Sequence, residues 1–193
     1  ATGAQNCGTL FEKRDPSIDM SQMDPRFTPD ECGVPVYPQT VALVYNKKKF
    51  KGADVPTSIT DYMDTKRFPG KRIAFNNVTT LPTLLLADGV AKDDLYPLDY
   101  DRASKAIDRL DKDFSLHADL AQEVERLATG DFAMCLCFTG RAEVAARTNP
   151  DLGIVWNGVW QTWTNLYAVK ESKSPESQQK FLKWVADPAK QAP

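Results

Sequence analysis

The chain contains 193 residues, of which 42% are hydrophobic, with 24 Lys and Arg residues against 26 Asp and Glu residues. This length is sufficient for one sizeable core, and a net charge of −2 creates no field that would favour nucleic acid. No apolar run reaches about 18 residues, which excludes a membrane-spanning helix. The chain starts at Ala1 without a charged and apolar leader, so we expect any signal peptide to be absent or already removed.

The first part of the chain predicts little regular structure before one long strand. Breakers such as Gly8 and Pro16 and a lack of periodicity predict an irregular segment over residues 1–32. The apolar and β-branched stretch Val34–Asn46 predicts a strand. Pro38 interrupts this strand, which is typical of an edge strand, a bulge or a crossover between two lobes.

Short elements follow. A capping-box pattern at Ser58 and Asp61 predicts a short helix, which the following Pro-Gly turn ends. The segment Arg72–Phe75 predicts a buried strand, and residues 81–86 predict a helix with a proline in its first turn.

The middle of the chain predicts helices that alternate with strands. Apolar residues repeat with helical spacing over residues 103–110 and again over residues 120–127. A short strand is predicted between these helices at residues 114–116. Another strand is predicted at residues 132–138, and a helix follows at residues 141–147.

The last part of the chain predicts a strand at residues 153–156, an extended aromatic-rich return at residues 160–169 and a final helix. Ser174 and Pro175 provide the cap and the first-turn proline of that helix. Strands that alternate with helices predict an α/β fold with a mainly parallel sheet that helices cover on both faces.

Two strand-to-helix turns are candidates for ligand binding. In such sheets ligands bind beyond the carboxyl ends of the strands. There, residues 76–80 and 139–141 place free backbone N–H groups and polar side chains at the starts of helices. Aromatic residues such as Phe138 and Trp163 add flat surfaces that a small molecule can contact. We therefore expect a cleft for a carboxylate, a phosphate or another polar ligand.

Four cysteines occur in two pairs. A disulfide between Cys7 and Cys32 would join a segment of few apolar contacts and would indicate an oxidising compartment. Cys135 and Cys137 share one face of a strand, and we expect both to act as buried small apolar residues, although cysteines on one face can also ligate a metal.

No nucleotide-binding, zinc-protease or serine-hydrolase motif occurs, so we predict no enzyme, no cofactor and no metal. The alternative is a metal-binding or enzymatic domain that uses these two cysteines and His117.

Five segments occur in a characteristic order from Cys32 to about residue 190: CGVPVYPQTVALVYNKKKF, FPGKRIAF, LLLADGV with LYPLD, GDFAMCLCFTGRA, and WTNLYAVKESKSPESQQKFLKWVADP. In this order and spacing they resemble the second lobe of the bacterial extracellular solute-binding proteins of the spermidine/putrescine type. Those proteins are the soluble receptors of ABC importers.

The resemblance implies a type II periplasmic-binding-protein fold, in which two α/β lobes joined by crossover strands close on a ligand. We expect residues 1–36 to be an irregular segment of the first lobe, residues 37–170 to form the second α/β lobe with its crossover strands, and residues 171–193 to return as a helix toward the first lobe. The chain would then be a fragment of a periplasmic or extracellular receptor whose partners are a small solute and an ABC permease. The effector-sensing domain of a transcription regulator, which shares this architecture, is a rival interpretation.

The resemblance also implies a set of ligand-binding positions. Asn77, Thr80 and Asn165 fall where polyamine binders carry acidic residues, and a polyamine is costly to bury without such partners. Arg141 would repel a cation and suits a carboxylate. We therefore expect a neutral, amino-acid-like or small carboxylate solute, with a polyamine as the alternative if the other lobe supplies the acids. The predicted ligand-binding residues are Gln39, Asn77, Thr79, Thr80, Phe138, Arg141, Trp163 and Asn165.

Overall fold

The computed structural model describes residues 2–23, 30–50, 52 and 54–191, so residues 24–29 of the predicted irregular segment lie outside the described residues. The chain divides into two compact units. The smaller unit consists of Ala1–Pro38 and Thr162–Pro193, and the larger unit consists of Gln39–Gln161. None of the described helices has the length and the apolar composition that a membrane crossing requires.

Among the described residues, strands and helices alternate along much of the chain. The strands are β1 (Val34–Asn46), β2 (Arg72–Phe75), β3 (Phe114–His117), β4 (Met134–Phe138) and β5 (Leu152–Leu166). The α-helices are α1 (Thr2–Gln5), α2 (Thr80–Ala87), α3 (Tyr100–Leu110), α4 (Leu120–Thr129), α5 (Thr139–Thr148), α6 (Pro175–Ala186) and α7 (Pro188–Gln191). Short 3₁₀ helices cover Ile59–Tyr62, Lys92–Asp94 and Asp111–Asp113.

The strands form one sheet in the order β3-β2-β4-β1-β5. Strand β2 is parallel to both of its neighbours, with Arg72 opposite Phe114 of β3 and opposite Met134 of β4. Strand β1 is antiparallel to β4, with Val41 opposite Phe138. The predicted α/β class is confirmed, and both β1 and β5 run across the division between the two units.

Each face of the sheet in the larger unit has its own hydrophobic cluster. Leu43 and Leu136 pack in one cluster, whereas the next residue along each strand, Val44 or Cys137, packs in the other. This alternation is expected because successive residues of a strand point to opposite faces. Helices α2 and α3 contribute to the first cluster, and α4 and α5 contribute to the second, so helices cover both faces as predicted.

The helix predicted from Ser58 is shorter than expected. The predicted capping box is present, but only the 3₁₀ helix Ile59–Tyr62 forms. The guanidinium of Arg72, which is fully buried, donates to the carbonyl of Tyr62 at 3.1 Å. This carbonyl therefore bonds to a side chain instead of continuing a helical ladder.

The predicted strand at residues 153–156 and the return at residues 160–169 are wrong as separate elements, because β5 is one continuous strand. Gly158 lies between them with a φ of 86°, a conformation that glycine adopts readily and that permits a bulge within a strand. A Cβ atom at this position would overlap the side chain of Ile59. Glycine therefore allows the strand to pass Ile59 without interruption.

The smaller unit has a core of its own. Ile18, Val34 and Leu182 are buried together in a cluster that packs on one face of α6. The segment predicted as irregular contains the single-turn helix α1 and isolated bridges. Cys7 and Cys32 form a disulfide in this segment.

Candidate functional site

Three helices of the larger unit begin just after the carboxyl ends of strands, namely α2 after β2, α4 after β3 and α5 after β4. Asp119 caps α4, and its carboxylate accepts a hydrogen bond from the N–H of Ala121 at 2.8 Å. The residues that precede the other two helices, Thr79 and Phe138, make no side-chain cap hydrogen bond. In α5 the first three residues all carry N–H groups that suit an anionic or polar ligand. In α2 the N–H of Thr80 already donates to the carbonyl of Asn77 and Pro82 has no N–H, so only Leu81 of the first three residues can offer one.

A pocket of about 390 Å³ lies beside the start of α2 and is lined by Asn77, Thr80 and several apolar side chains. Thr80 is buried, and its hydroxyl donates to the carbonyl of Phe75, so this side chain fixes the turn. Asn77 is exposed, and its side-chain oxygen accepts a hydrogen bond from the N–H of Thr79 at 3.2 Å. Of the predicted residues at this turn, Asn77 is exposed, Thr79 is half-buried and Thr80 is buried.

An aromatic pair lies at the carboxyl ends of the adjacent strands β2 and β4. The rings of Phe75 and Phe138 are 6.2 Å apart between centroids, at an interplanar angle of 69°. Because β1 runs antiparallel with Val41 opposite Phe138, the half-buried Gln39 lies just beyond this end of β4. Phe75 was not predicted, although its place as the last residue of a buried strand before a polar turn was the available signal.

Arg141 lies in a different place from Asn77. It is exposed in a groove of about 750 Å³ between α4 and α5. These helices cover the opposite face of the sheet from α2, which borders the pocket at Asn77. Arg141 and Asn77 therefore line different pockets, although the helices that follow them start beside adjacent strands, and ligand binding by Arg141 stays a prediction.

Trp163 and Asn165 belong to the smaller unit, where β5 continues beyond the division. Both side chains are half-buried. They are two positions apart on a strand and therefore share one face of it. Their ligand-binding roles stay predictions.

Within the described part of the chain, His117 does not join Cys135 and Cys137, as the alternative metal or enzymatic site would require. The sulfur atoms of Cys135 and Cys137 lie close to the carboxylate of Glu123, not to His117. His117 instead accepts a hydrogen bond at its Nε2 from Arg126 at 2.7 Å. The two cysteines are buried as predicted, but they form a disulfide instead of acting only as small apolar residues. Their positions on one face of β4 allow this pairing.

Glu123 was not predicted, since a glutamate in the first turn of a helix is usually exposed. Burial raises the pKa of Glu123 to about 8, and the attraction of Arg141 offsets part of this rise. The carboxyl group is therefore mainly protonated at neutral pH.

Comparison with known proteins identifies the family. Residues 8–193 match the family model described as bacterial extracellular solute-binding protein. The chain is also 33% identical over 190 residues to the gamma-aminobutyric acid-binding protein of Pseudomonas aeruginosa, which corresponds to 94% of this chain and 53% of that protein.

Solved structures share the fold. A GABA receptor superposes with a TM-score of 0.85 at 28% identity, over 97% of this chain and 58% of the receptor. An ABC transporter substrate-binding protein from Bradyrhizobium japonicum superposes with a TM-score of 0.83 at 32% identity, over 96% of this chain and 57% of that protein. The chain thus spans little more than half the length of these relatives. The predicted family is confirmed: the chain belongs to the bacterial extracellular solute-binding proteins.

Proposed function

We propose that this chain is part of a receptor that binds a small, amino-acid-like solute with a carboxylate group and presents it to an ABC permease. The observation that carries the proposal is the start of α5, which has no side-chain cap and lies beside the carboxyl end of β4. The start of α2, beside the adjacent strand β2, adds the N–H of Leu81. The N–H groups and the dipole at a helix start attract negative charge.

The charges of the predicted ligand-binding residues favour the same solute class. None of these residues is acidic, and a diamine would bring two charges that need carboxylate partners once buried. A zwitterion such as γ-aminobutyrate brings only one ammonium group. Two of the similar proteins carry γ-aminobutyrate in their names, which supports an amino-acid-like solute.

The aromatic pair supplies the apolar part of the proposed site. The rings of Phe75 and Phe138 can contact the methylene groups of a short ω-amino acid while polar groups orient its ends. In this proposal the protein works outside the cytoplasm, binds without catalysis, and closes around the solute before it meets the permease.

Thermal unfolding and calorimetry of the full-length protein would test the solute class. We would compare γ-aminobutyrate with butyrate, which lacks the ammonium group, and with putrescine, a four-carbon diamine. A solute that binds only the native state raises Tm, and the stabilisation grows with the logarithm of the ratio of its concentration to its Kd. We expect γ-aminobutyrate to raise Tm and putrescine to leave it unchanged. The reverse result would overturn the proposal.

A substitution would test the site. We expect Phe138→Ala to weaken binding of the best solute at least about tenfold, which corresponds to roughly 1.4 kcal/mol. Phe181→Ala is the matched control, because Phe181 is an exposed aromatic residue of α6. Equal affinities for the two variants would show that the solute does not contact the predicted edge of the sheet.

A further inference from the structure

Glu123 is a buried carboxyl group without a hydrogen-bond partner among the described residues. Its exposed fraction is 0%, and both of its side-chain oxygens are unpaired. Buried polar groups are nearly always paired, so each exception calls for a functional explanation. The side chain starts from the first turn of α4, a helix that packs on β4 and on α5.

The carboxyl group of Glu123 lies beside the start of α5. One of its oxygens is within 4.8 Å of the sulfur atom of Cys137 on β4. Thr139, two positions further along the chain, is the first residue of α5. Arg141 follows in the first turn of α5, lines a groove together with Val124 of α4, and attracts the ionised form of Glu123. The carboxyl group is therefore close to a helix start and within electrostatic reach of a guanidinium group, which are both positive.

This positive region is also the proposed binding region for the carboxylate of the solute. We propose that Glu123 is a proton-controlled counter-charge of the region. In its protonated form it leaves the start of α5 and Arg141 to the solute, and in its ionised form it competes with the solute for them. This role rests on the proposed function, because it regulates the same site.

The burial of Glu123 makes its charge matter more to a bound solute than the charge of a surface residue would. Two anions that share one positive region repel each other, and each disfavours the ionised form of the other. Binding of a carboxylate solute should therefore favour the protonated form of Glu123. By linkage, ionisation of Glu123 should weaken the binding of the solute by the same factor.

Two further titratable groups act on Glu123 from α4 and from across the sheet. Asp119 is ionised as the cap of α4, and its negative charge also disfavours the ionised form of Glu123. Tyr62 belongs to the cluster on the other face of the sheet, and its hydroxyl donates to the carbonyl of Ile73 at 3.1 Å. Burial raises the pKa of Tyr62 well above its ordinary value, so this group stays uncharged near pH 8.

The titratable groups on the neighbouring strands have partners of their own. On β3, the imidazole of His117 accepts a hydrogen bond from Arg126 of α4, which also pairs with Asp131 at 3.5 Å. On β4, Cys135 and Cys137 form a disulfide and do not titrate. Arg141 is therefore the cation that links the ionisation of the Glu123 carboxyl group to the solute site.

This role predicts how solute binding depends on pH. Burial raises the pKa of Glu123 to about 8, so its protonated fraction falls from roughly nine-tenths at pH 7 to roughly one-tenth at pH 9. If the protonated form alone binds the solute, Kd should rise about tenfold over this interval. The ammonium group of γ-aminobutyrate stays charged, because such groups lose their proton only near about pH 10.4.

Calorimetry of the full-length protein with γ-aminobutyrate, between pH 7 and pH 9 and in buffers of different ionisation enthalpy, would test this role. We expect the wild type to show the tenfold rise in Kd and to take up about half a proton per bound solute at pH 8. Glu123→Gln, which resembles the protonated form at every pH, should change its Kd by less than about twofold and take up no proton. Glu125→Gln, at an exposed glutamate of the same helix, is the matched control and should behave like the wild type.

A second measurement does not depend on the solute. Carboxyl ¹³C NMR of the glutamate-labelled full-length protein should show that Glu123 titrates near pH 8. Arg141→Met should raise the pKa of Glu123 further, because the attraction of the guanidinium is lost. If γ-aminobutyrate does not bind at pH 7, the proposed function fails for this solute, and the NMR titration still decides whether Glu123 and Arg141 are coupled.

Several results would overturn the role of Glu123. One is a wild-type Kd that stays constant between pH 7 and pH 9, and another is an equal pH dependence in the wild type and Glu123→Gln. A Glu123 carboxyl group that titrates near its ordinary value of about 4.3, or a pKa that Arg141→Met leaves unchanged, would also do so. Circular dichroism at pH 9 checks the fold of each variant. If Glu123→Gln does not fold, the proton uptake and the NMR titration of the wild type decide.

Discussion

Asp30 connects several parts of the smaller unit. Its carboxylate accepts hydrogen bonds from the N–H groups of Cys32 and Gly33 and from the hydroxyl of Tyr167, while Arg14 donates to the carbonyl groups of Asp30 and Gly33. Burial alone would raise the pKa of Asp30, but the Gly33 N–H, the Tyr167 hydroxyl and the Cys32 N–H lower it below its ordinary value. The ionised carboxylate is thus the form that the fold stabilises.

We expect Asp30→Ala to lower the free energy of unfolding at pH 7 by roughly 2 kcal/mol, because two amides and Tyr167 lose their acceptor. The pKa of Asp30 is lower in the folded protein than in the unfolded chain, where it is about 3.9. The stability that ionised Asp30 contributes is therefore present above about pH 3.9 and is lost as the pH falls through the pKa of the folded protein. The difference between wild type and variant should therefore shrink below about pH 4 in urea denaturation. Tyr167→Phe, which removes one of the three bonds, should cost less. A difference that does not change with pH would contradict this assignment.

At the level of elements, some helices start with a side-chain cap, which stabilises the fold, and others start without one. Asp119 satisfies the first turn of α4 with its side chain. The residue at the same position before α2, Thr79, makes no such bond. A helix start without a cap is less stable than a capped one, but an N–H group that has no acceptor, such as that of Leu81 in α2, remains able to bind a ligand.

We expect Asp119→Ala to lower the free energy of unfolding by about 1 kcal/mol, the usual cost of a lost N-cap. Thr79→Ala, the matched substitution before α2, should change it by less than about 0.5 kcal/mol, since no cap bond is lost. Thermal unfolding of both variants without solute makes the comparison. Equal losses would show that the Thr79 hydroxyl caps α2 after all.

The elements themselves were largely predictable. The apolar spacing over residues 103–110 and 120–127 corresponds to α3 and α4, because a helix in contact with a core must repeat its apolar residues every three or four positions. The predictions failed where a distant residue decided the local structure. Arg72 ended the helix after Ile59–Tyr62, and Gly158 let β5 continue past Ile59.

At the level of the molecule, the two units have separate hydrophobic clusters and separate disulfides. Cys7–Cys32 lies in the smaller unit, and Cys135–Cys137 lies in the larger unit. The first bond joins residues 25 positions apart in a segment whose described residues have little regular structure, whereas the second joins residues two positions apart on one strand. A cross-link restricts the unfolded chain more when it closes a longer loop.

We expect Cys7→Ala/Cys32→Ala to destabilise the smaller unit by roughly 3 kcal/mol. Hydrogen exchange should show faster exchange of the β5 amides from Thr162 onward, while the amides of β4 keep their protection. Cys135→Ala/Cys137→Ala is the control for loss of a disulfide from the larger unit. Faster exchange to the same extent in both units would mean that they unfold together.

The candidate site was predictable only in part. The turns after β2 and β4 and the aromatic Phe138 follow from the rule that ligands bind at the carboxyl ends of strands in α/β sheets. Phe75 and Glu123 were missed, because their importance depends on neighbours that are distant in sequence. The assignment of the two units to the two lobes of a receptor stays a prediction.

Periodicity and turn residues were enough to predict the types of most elements and the α/β class, because they record which face of each element is buried, and the order of five segments was enough to predict the family. The side chains that meet across the fold could be found only from the packed structure. The packing of helices on the two faces of the sheet leaves Arg141 and Asn77 in different pockets and brings Glu123 to Cys135 and Cys137. Local patterns specify burial, whereas the distance between residues far apart in the chain depends on how the elements pack.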